Sequence, residues 1–587
     1  MNDPGLVRIV AEKIAPLAIF NDLAPAVRDS ICAQLEWLSL PGGWTLFEAG
    51  EAGDAMLIVL SGRLVVIANT AEDGAHVIAQ IGAGETVGEM AMLSGEVRSA
   101  RVEALRDTEL LRMPKRAFDQ LIDSSPSAMR FMNGLLVSRL RNTSRRPASA
   151  DAPRALTIQP LGPDVDAAAF ARDLARAIEA RGRKAAIAGA ADAGRGTEWF
   201  AQLEEAHDLV LYVSESTPTA WTGLCLRQAD RVFALVRAAP QVAAAQDAAS
   251  IDAMIESRRH AGIELVILHP RDSRRAEHTA EILQRFPGAH HWHVREGNAS
   301  DLARIARLIA GHAVGIVLSG GGARGFAHLG VMAALKDAGI AIDLYAGASM
   351  GAIVAATAAL EWDREQTLAH LVPAFVESNP LSDYTIPIIA LARGRKVSRL
   401  LREHFGDLKL EECWRTLVCT ASDLTTGQVR IFRNGPIWNA LRASVAIPGV
   451  LTPVIEGGHI LVDGGVLNNM PIDLMLAMRR GPVVAVDVMR DHALAAGAQA
   501  LEELSLLNML RPARRGSPNI VALLMRAGTV GSEAQVRHLR PQVDLLIEPR
   551  IEPMGMLDWK AYRRAIDEGY RQTIAILERR DNSSLLR

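Results

Sequence analysis

The pentad Gly347-Ala348-Ser349-Met350-Gly351 places the strongest constraint on how this chain can fold. A short apolar run, residues 344–346, precedes it, and the small apolar residues 352–360 follow it. This order predicts a buried strand, a sharp turn at Ser349 and a buried helix, because small flanking residues permit a strained backbone and close packing of helix on strand. The serine hydroxyl is then expected to project from the turn, above the end of the strand.

A second glycine-rich stretch, Gly320-Gly321-Gly322-Ala323-Arg324-Gly325, follows the apolar run 315–318 and precedes a predicted helix over 326–338. A dinucleotide site would need an acidic residue at the end of the second strand, whereas Asp343 lies before that strand. The favoured hypothesis is an oxyanion hole formed by backbone N–H groups of this stretch, from Gly320 to Gly325. The charge of Arg324 suits either a phosphate-bearing substrate or a carboxylate that holds the loop in place.

A serine nucleophile needs a base, and Asp463 in the run Leu461-Val462-Asp463-Gly464-Gly465 is the leading candidate. The run predicts a strand that ends in a carboxylate on a tight turn. His328 and His459 are alternative bases, and Asp487 ends a later strand but lacks the paired glycines. Because a free aspartate has a pKa of about 3.9, the Asp463 hypothesis predicts a buried carboxyl whose pKa is raised.

These motifs, with the block 442–449 and the segment Asn468-Asn469-Met470-Pro471, make residues 314–475 resemble the patatin-like phospholipase family. The resemblance implies a serine acyl hydrolase with a Ser–Asp dyad, in which Ser349 is the nucleophile and Asp463 accepts its proton. It implies no metal and no cofactor for catalysis. The other residues that it implies are Gly347 and Gly351 beside the nucleophile and Gly464 and Gly465 beside the aspartate.

The stretch 88–100, Gly-Glu-Met-Ala-Met-Leu-Ser-Gly-Glu-Val-Arg-Ser-Ala, marks a second site. Arg98 can make a two-pronged contact with a cyclic phosphodiester, and Glu89 can accept a hydrogen bond from a ribose hydroxyl. The stretch resembles the phosphate-binding cassette of cyclic-nucleotide-binding domains, which adds Gly88 and Ser99 to the site. The resemblance implies cAMP or cGMP as a regulatory ligand. The alternative is a barrel kept only for docking, with Arg98 paired to a surface carboxylate.

Residues 155–310 alternate apolar runs with helical lengths, which predicts a parallel α/β domain. The stretch 190–197 lies where a nucleotide-binding loop is expected, but it lacks the Gly-Lys-Ser/Thr of a P-loop, so a structural coupling role is favoured. His290, His291 and His293 lie close together without an acidic or cysteine partner at ligand spacing. This pattern favours a structural or surface role over metal binding.

The length of 587 residues predicts several domains. The fold class expected is multidomain, with an N-terminal β-roll, a middle parallel α/β domain and a C-terminal patatin-like α/β hydrolase domain. The predicted boundaries are 1–145 for the cyclic-nucleotide-binding-like domain, 146–154 for a linker, 155–310 for the coupling domain and 311–587 for the phospholipase domain.

The pairing of these two recognisable domains resembles the neuropathy target esterase group, whose members act on lysophospholipids and phospholipids. The resemblance implies a lipid acyl hydrolase controlled by its N-terminal domain. The alternative is a cyclic-nucleotide-responsive signalling module whose hydrolase domain only binds lipid or a partner. The chain departs from the group because it shows no N-terminal membrane helix and only one cyclic-nucleotide-like domain, so tight membrane residence is not expected.

Composition limits the partners and the compartment. The 64 basic and 67 acidic residues leave a net charge of −3, which argues against nucleic acid as a partner. Four scattered cysteines, the absence of a signal peptide pattern and the absence of an apolar run of ~20 residues predict a cytoplasmic protein. The basic segment 511–516 offers peripheral contact with an anionic inner membrane surface, although a solvated loop is the simpler interpretation.

Overall fold

The computed structural model describes residues 10–11, 14, 17–20, 23–70, 74–144, 152–239, 263–378, 380–386, 388–489, 520–551 and 554–586. The chain divides into two compact units, Met1–Leu268 with Phe286–Ala303 and His269–Arg285 with Arg304–Arg587. Most of the predicted linker 146–154 and the whole basic segment 511–516 lie outside the described residues.

The N-terminal part of the first unit is a β-roll of two antiparallel sheets, with strand orders β1-β8-β3-β6 and β2-β7-β4-β5. Gly62 forms the tight turn between β3 and β4. Alternate residues of β3 face opposite ways, so that Met56 and Ile58 pack toward the helices while Leu57 and Val59 fill the space inside the roll. The strands are β1 Glu36–Leu40, β2 Thr45–Phe47, β3 Ala55–Ser61, β4 Arg63–Thr70, β5 Gly74–Gly82, β6 Thr86–Val87, β7 Arg101–Ala104 and β8 Thr108–Pro114, and the α-helices are Pro25–Cys32, Glu89–Ser94, Lys115–Ser124 and Pro126–Ser144.

The region after the roll contains a six-stranded sheet in the order β10-β11-β9-β12-β13-β14. The pairs from β10 to β13 are parallel, as the alternation of apolar runs and helices predicts. The stretch 190–197 forms a short 3-10 helix and the start of a helix at Thr197. The strands are β9 Ala155–Pro160, β10 Ala185–Ala188, β11 Leu209–Val213, β12 Arg231–Arg237, β13 Ile263–His269 and β14 His290–Arg295, and the α-helices are Ala167–Glu179, Thr197–Ala206, Ala220–Gln228, Thr279–Arg285 and Ala299–Ala310.

A buried ionic network joins the β-roll to the parallel sheet within the first unit. Arg106 of the roll places Nη1 2.6 Å from Glu204 and Nε 3.4 Å from Asp230. Arg63 lies 3.5 Å from the same Asp230 oxygen, and the Tyr212 hydroxyl donates to Glu204 over 2.9 Å. Buried charges of this kind are tolerated only when they are paired, so the network fixes the orientation of the roll on the sheet.

The second unit is built on a mostly parallel sheet in the order β21-β22-β18-β16-β15-β23-β24, with β19 also paired to β18. Five strands of this sheet run parallel to one another, namely β18, β16, β15, β23 and β24. Two strands, β19 and β22, lie antiparallel to β18. β17 and β20 form a separate parallel pair. The strands are β15 Val314–Leu318, β16 Ile342–Ala348, β17 Ala390–Ala392, β18 Thr416–Asp423, β19 Gln428–Phe432, β20 Gly449–Leu451, β21 Val454–Glu456, β22 His459–Asp463, β23 Val483–Val486 and β24 Leu545–Ile547.

Helices cover this sheet and supply the rest of its hydrophobic core. The predicted helices over 326–338 and 352–360 are present as Ala327–Asp337 and Met350–Ala359, and a long helix, Tyr562–Leu577, lies near the end of the chain. The α/β architecture predicted for this part of the chain is therefore confirmed. The further α-helices are Arg364–Leu371, Arg395–Phe405, Ile437–Ser444, Gly465–Asn468, Ile472–Met478, Ile520–Leu539 and Ser583–Leu586.

Candidate active site

Ser349 occupies the turn between β16 and the helix Met350–Ala359. Its backbone has φ 52° and ψ −127°, a conformation that residues with a β-carbon disfavour and that costs on the order of 1–3 kcal/mol. Gly351 lets the helix start directly on the neighbouring strand, because a Cβ at this position would lie 2.2 Å from the carbonyl oxygen of Leu318. Packing of the helix against β15 therefore holds the serine in its strained turn.

Two hydrogen bonds orient Ser349. Its Oγ donates to Asp463 Oδ2 over 2.7 Å, and its backbone N–H donates to Ser444 Oγ over 2.8 Å. The Ser444 hydroxyl in turn donates to the Thr420 carbonyl over 2.7 Å, so its own proton is already committed and its oxygen is left to accept. Ser349 is thus fixed at both its hydroxyl and its amide.

Sheet register brings Asp463 to Ser349. Ala348 pairs with Thr420 on β18, and the next β18 residue, Ala421, pairs with Asp463 at the end of the antiparallel β22. The Gly465 amide donates to the second carboxylate oxygen, Oδ1, over 2.7 Å. The carboxyl is therefore held by a backbone amide on one oxygen and by the serine hydroxyl on the other.

Burial sets the acidity of Asp463. The residue is 5% exposed, and burial raises its pKa to about 6, while the hydrogen bonds from Gly465 and Ser349 act in the opposite direction. A carboxylate with this pKa is a much better base than a free aspartate and is still ionised at neutral pH. The pair has the geometry and the acidity that direct proton transfer from serine to aspartate requires.

The glycine-rich loop lies directly against Ser349. A Cβ built on Gly320 would lie 2.9 Å from Ser349 Cβ, and the Gly320 amide donates to Asn469 Oδ1 over 3.1 Å. The amides of Ala323 and Arg324 bond to the carbonyls of Met556 and Gly321 respectively. Because these three amides already have acceptors within the protein, fewer N–H groups of the loop are left to form the predicted oxyanion hole.

Two amides of this loop remain available. Within the part of the chain that the structure describes, the N–H groups of Gly321 and Gly322 donate to no protein atom. Gly325 lies deeper, in the 3-10 helix Gly322–Phe326, and is buried. Arg324 donates from Nε to the Met554 carbonyl over 2.8 Å, and this bond to a backbone oxygen helps to hold the loop.

The alternative bases have other partners. His328 is fully buried and donates from Nε2 to the Ser319 carbonyl over 2.9 Å, and burial lowers its pKa to about 4. His459 Nδ1 lies 2.7 Å from the carboxylate of Asp423. Asp487 accepts from Arg540 over 2.5 Å. None of these contacts involves Ser349.

The predicted nucleotide cassette lies in the β-roll. Arg98 is buried, lies 4.3 Å above the ring of Phe47, and donates to the carbonyls of Ala55 and Gly88 over 2.7 and 3.0 Å. Glu89 is fully buried at the start of its helix. Each terminal nitrogen of a guanidinium carries two protons, so Arg98 keeps one on each nitrogen for a further acceptor. Ser99 is exposed beside it.

Two residues of the site were missed by reasoning from sequence. Ser444 accepts from the amide of Ser349, and Asn469 holds the amide of Gly320. Both lie in segments that the sequence marks, 442–449 and 468–471, but their roles depend on which strands become neighbours. The paired-asparagine segment after Asp463 is the only signal that could have suggested a polar contact.

The described residues contain neither a membrane-spanning helix nor a cluster of metal-binding side chains. No helix there is both long and apolar enough to cross a bilayer. No three histidine, cysteine, aspartate or glutamate side chains there come close enough together to hold a metal ion. His290, His291 and His293 lie in strand β14, where the rings of His291 and His293 make an edge contact at 5.2 Å.

Comparison with family models agrees with this layout. Residues 316–476 match the model of the patatin-like phospholipase, residues 37–125 that of the cyclic nucleotide-binding domain, and residues 153–309 that of the neuropathy target esterase family P-loop like domain. The second unit therefore contains a patatin-like phospholipase domain.

Whole-length relatives identify the family. An uncharacterized NTE family protein of Mycobacterium bovis is 32% identical over 581 residues, which cover 95% of each chain. The chain belongs to the neuropathy target esterase (NTE) family. The human patatin-like phospholipase domain-containing protein 6 is 28% identical over 79% of this chain and 38% of its own length. The lysophospholipase NTE1 of Yarrowia lipolytica is 26% identical over 77% of this chain and 39% of its own length.

Solved structures match the N-terminal part. A cyclic nucleotide-binding domain from Methylobacillus flagellatus is 27% identical, with a TM-score of 0.22, and the match covers 24% of this chain and 81% of that chain. The catabolite activator protein of Thermus thermophilus is 26% identical, with a TM-score of 0.20, over 28% of this chain and 68% of that chain.

Proposed function

We propose that this protein hydrolyses the carboxylic esters of lysophospholipids and phospholipids through Ser349 and Asp463. The observation that carries the proposal is the 2.7 Å hydrogen bond from Ser349 Oγ to a buried Asp463 whose pKa is raised to about 6. The names of the relatives, a lysophospholipase and a patatin-like phospholipase domain protein, supply the substrate class.

The reaction runs in two halves. Ser349 Oγ attacks the ester carbonyl carbon while its proton passes to Asp463 Oδ2, and the amides of Gly321 and Gly322 receive the negative oxygen. Collapse of the intermediate expels the alcohol, which takes the proton from Asp463 and leaves the acyl group on Ser349. Water then attacks this ester and passes its proton to Asp463, which returns the proton to Ser349 Oγ as the acyl–oxygen bond breaks and the fatty acid is released. Each oxyanion donor typically contributes ~3 kcal/mol to stabilising the transition state.

The first test is release of fatty acid from a panel of lysophospholipids that differ in head group and acyl chain. We expect free fatty acid to appear with each turnover from ester-linked lipids. Ether-linked lysophospholipids with the same head group are the matched control, because they bind alike but offer no carbonyl to attack. Binding of both lipids without release from either would favour the alternative, a signalling module that only binds lipid.

The proposed location is the cytoplasm, with peripheral contact at the inner membrane surface. Cys32, Cys225, Cys413 and Cys419 are all buried free thiols, which suits a reducing compartment.

We further propose that the β-roll binds a cyclic nucleotide, with the phosphate on Arg98 and the ribose near Glu89. Cyclic AMP or cyclic GMP at about 100 times its dissociation constant is then expected to stabilise the folded roll by ~2.7 kcal/mol. The variant Arg98→Lys should lose most of this stabilisation, because the ammonium group of lysine cannot make the two parallel hydrogen bonds that a planar guanidinium makes to a phosphate. The measurement is the shift of the thermal unfolding midpoint.

Arg101→Lys is the matched control for this measurement, because Arg101 lies nearby on β7 and is partly exposed. Its nucleotide-dependent shift should equal that of the parent protein. If neither nucleotide shifts the midpoint of the parent protein at millimolar concentration, the roll serves docking only.

A further inference from the structure

A hairpin of the second unit presents an apolar tip to solvent. Its base is closed by a bridge between Tyr384 and Ala392 and by a hydrogen bond of 3.0 Å from the Thr385 amide to the Leu391 carbonyl. At the tip, Ile386, Ile388 and Ile389 are 77%, 85% and 69% exposed. Isoleucines exposed to this extent on one short loop are unusual in a protein that faces only water, and such apolar patches commonly mark an interaction surface.

Arginines follow this hairpin directly along the chain. Arg393, Arg395, Arg399 and Arg402 are exposed and line a cavity of about 670 Å³ beside the hairpin. Its one acidic lining residue, Glu403, lies 3.6 Å from Arg399. The chain as a whole carries a net charge of −3, so this positive surface is local rather than a property of the composition.

A buried guanidinium forms part of the cavity wall. Arg442 is 5% exposed; its Nε donates to Ser398 Oγ over 3.1 Å and its Nη2 donates to the Thr452 carbonyl over 2.8 Å. Its Nη1 has no hydrogen-bond partner among the described residues. The charge of Asp383 acts on this guanidinium, which adds one more cationic group to the wall of the arginine-lined cavity.

We propose that this hairpin and the arginine-lined cavity dock the protein on a bilayer that contains anionic phospholipid. The isoleucines enter the interface between head groups and acyl chains, and the cavity takes a head-group phosphate on Arg442 and the exposed arginines. The aliphatic tip is complementary to the acyl chains of such a bilayer, and the cationic cavity is complementary to its anionic head groups. This docking proposal depends on the proposed function in one respect only, namely that the substrate of the protein is a lipid.

The test is binding of the full-length Ser349→Ala variant to vesicles, because this variant is expected not to consume the lipid. Vesicles of phosphatidylcholine alone are compared with vesicles in which about a third of the lipid is phosphatidylglycerol. We expect clear binding to the anionic vesicles that weakens as salt is added, and little binding to the neutral ones. Equal binding to both kinds, or to neither, overturns the proposal.

Surface substitutions identify the docking face without disturbing the core. Arg395→Ser and Arg399→Ser should each weaken binding to anionic vesicles about five-fold. Ile388→Ser should weaken it about ten-fold, because one exposed isoleucine no longer enters the interface. Arg563→Ser and Leu586→Ser are matched controls, since both residues are exposed and neither lines the cavity. Losses as large in the controls as in the hairpin variants would overturn the proposal.

Inorganic phosphate separates a lipid head group from a free anion. If phosphate alone raises the unfolding midpoint of the parent protein but not of Arg442→Lys, while vesicles fail to bind, the cavity takes free phosphate and the docking proposal is wrong. If vesicles bind and the hairpin variants lose binding, the proposal stands whatever phosphate does. Vesicle binding is measured without turnover, so failure of the lipid hydrolysis assay leaves this result intact, and the reverse also holds.

Discussion

Ser349→Ala is expected to abolish labelling by a fluorophosphonate probe and to lower ester hydrolysis by about 10⁶-fold. The probe phosphonylates a serine that is activated by a base, and Ser349 Oγ donates to the buried carboxylate of Asp463 over 2.7 Å. Removing the oxygen removes the atom that forms the acyl-enzyme. The measurements are the mass of the intact labelled protein, which should show one adduct, and the position of that adduct in a peptide map.

Ser378→Ala is the matched control for this variant. Its hydroxyl donates to the Ala374 carbonyl within the same unit and has no part in the proposed reaction. We expect full labelling and full hydrolysis in this control. Labelling that persists in Ser349→Ala at the parental rate would remove Ser349 as the nucleophile.

Asp463→Asn is expected to lower kcat by about 10⁴-fold while the protein stays folded. Asparagine keeps the shape of the side chain and an oxygen that can accept from the Gly465 amide, but it cannot take the serine proton. His328→Gln and His459→Gln should lower kcat by less than about ten-fold, because both histidines bond to groups other than Ser349. If either histidine variant is as inactive as Asp463→Asn, a triad must replace the two-residue mechanism.

The raised pKa of Asp463 gives this prediction a second measurement. Because the carboxylate is the active form, kcat/KM should fall about ten-fold for each pH unit below a midpoint of about 6. The contribution of Asp463 to the stability of the fold should depend on pH in the opposite sense and increase as the pH falls. The pKa is higher in the folded state than the unfolded value of 3.8, so the folded protein holds this proton more tightly. The resulting stabilisation is present below pH ~4 and is lost as the pH rises through ~6.

It follows that Asp463→Asn should unfold at a higher temperature than the parent protein above pH ~6. The difference corresponds to about 3 kcal/mol of unfolding free energy, since the pKa rises from 3.8 to about 6. Thermal unfolding of both proteins across this pH range measures it. If the parent protein is as stable as the asparagine variant throughout this pH range, the pKa of Asp463 is not raised by burial.

The local structure around Ser349, the glycine-rich loop and Asp463 could be predicted from the sequence. The glycines around Ser349 and in the loop 320–325 signal turns that only small residues allow, and the structure has a strand, a turn and a helix where both motifs predict them. The Asp-Gly-Gly motif indicates a carboxylate at the end of a strand, and Asp463 ends β22. These features depend on neighbours within a few residues, which a sequence shows directly.

Contacts that depend on strand order are not readable in this way. Ser444 meets the amide of Ser349 across 95 residues, and Asn469 meets Gly320 across 149. Ser444 ends the helix Ile437–Ser444 and Asn469 follows β22, and no local pattern states which residues these elements come to lie beside. Arg98 is a similar case, because its placement over Phe47 joins the loop before β7 to β2, two parts of the roll that are distant in sequence.

Docking through the hairpin closed at Tyr384 and Ala392, as proposed above, would change how the rate of such an enzyme has to be expressed. An enzyme held at a surface meets substrate in two dimensions, so its rate follows the mole fraction of substrate in the bilayer rather than the concentration in the tube. While the isoleucine tip stays in the interface, one molecule can complete many turnovers on a single vesicle before it leaves. Diluting the substrate with inert lipid would then slow hydrolysis, whereas adding more vesicles of the same composition would not quicken it once all the enzyme is bound.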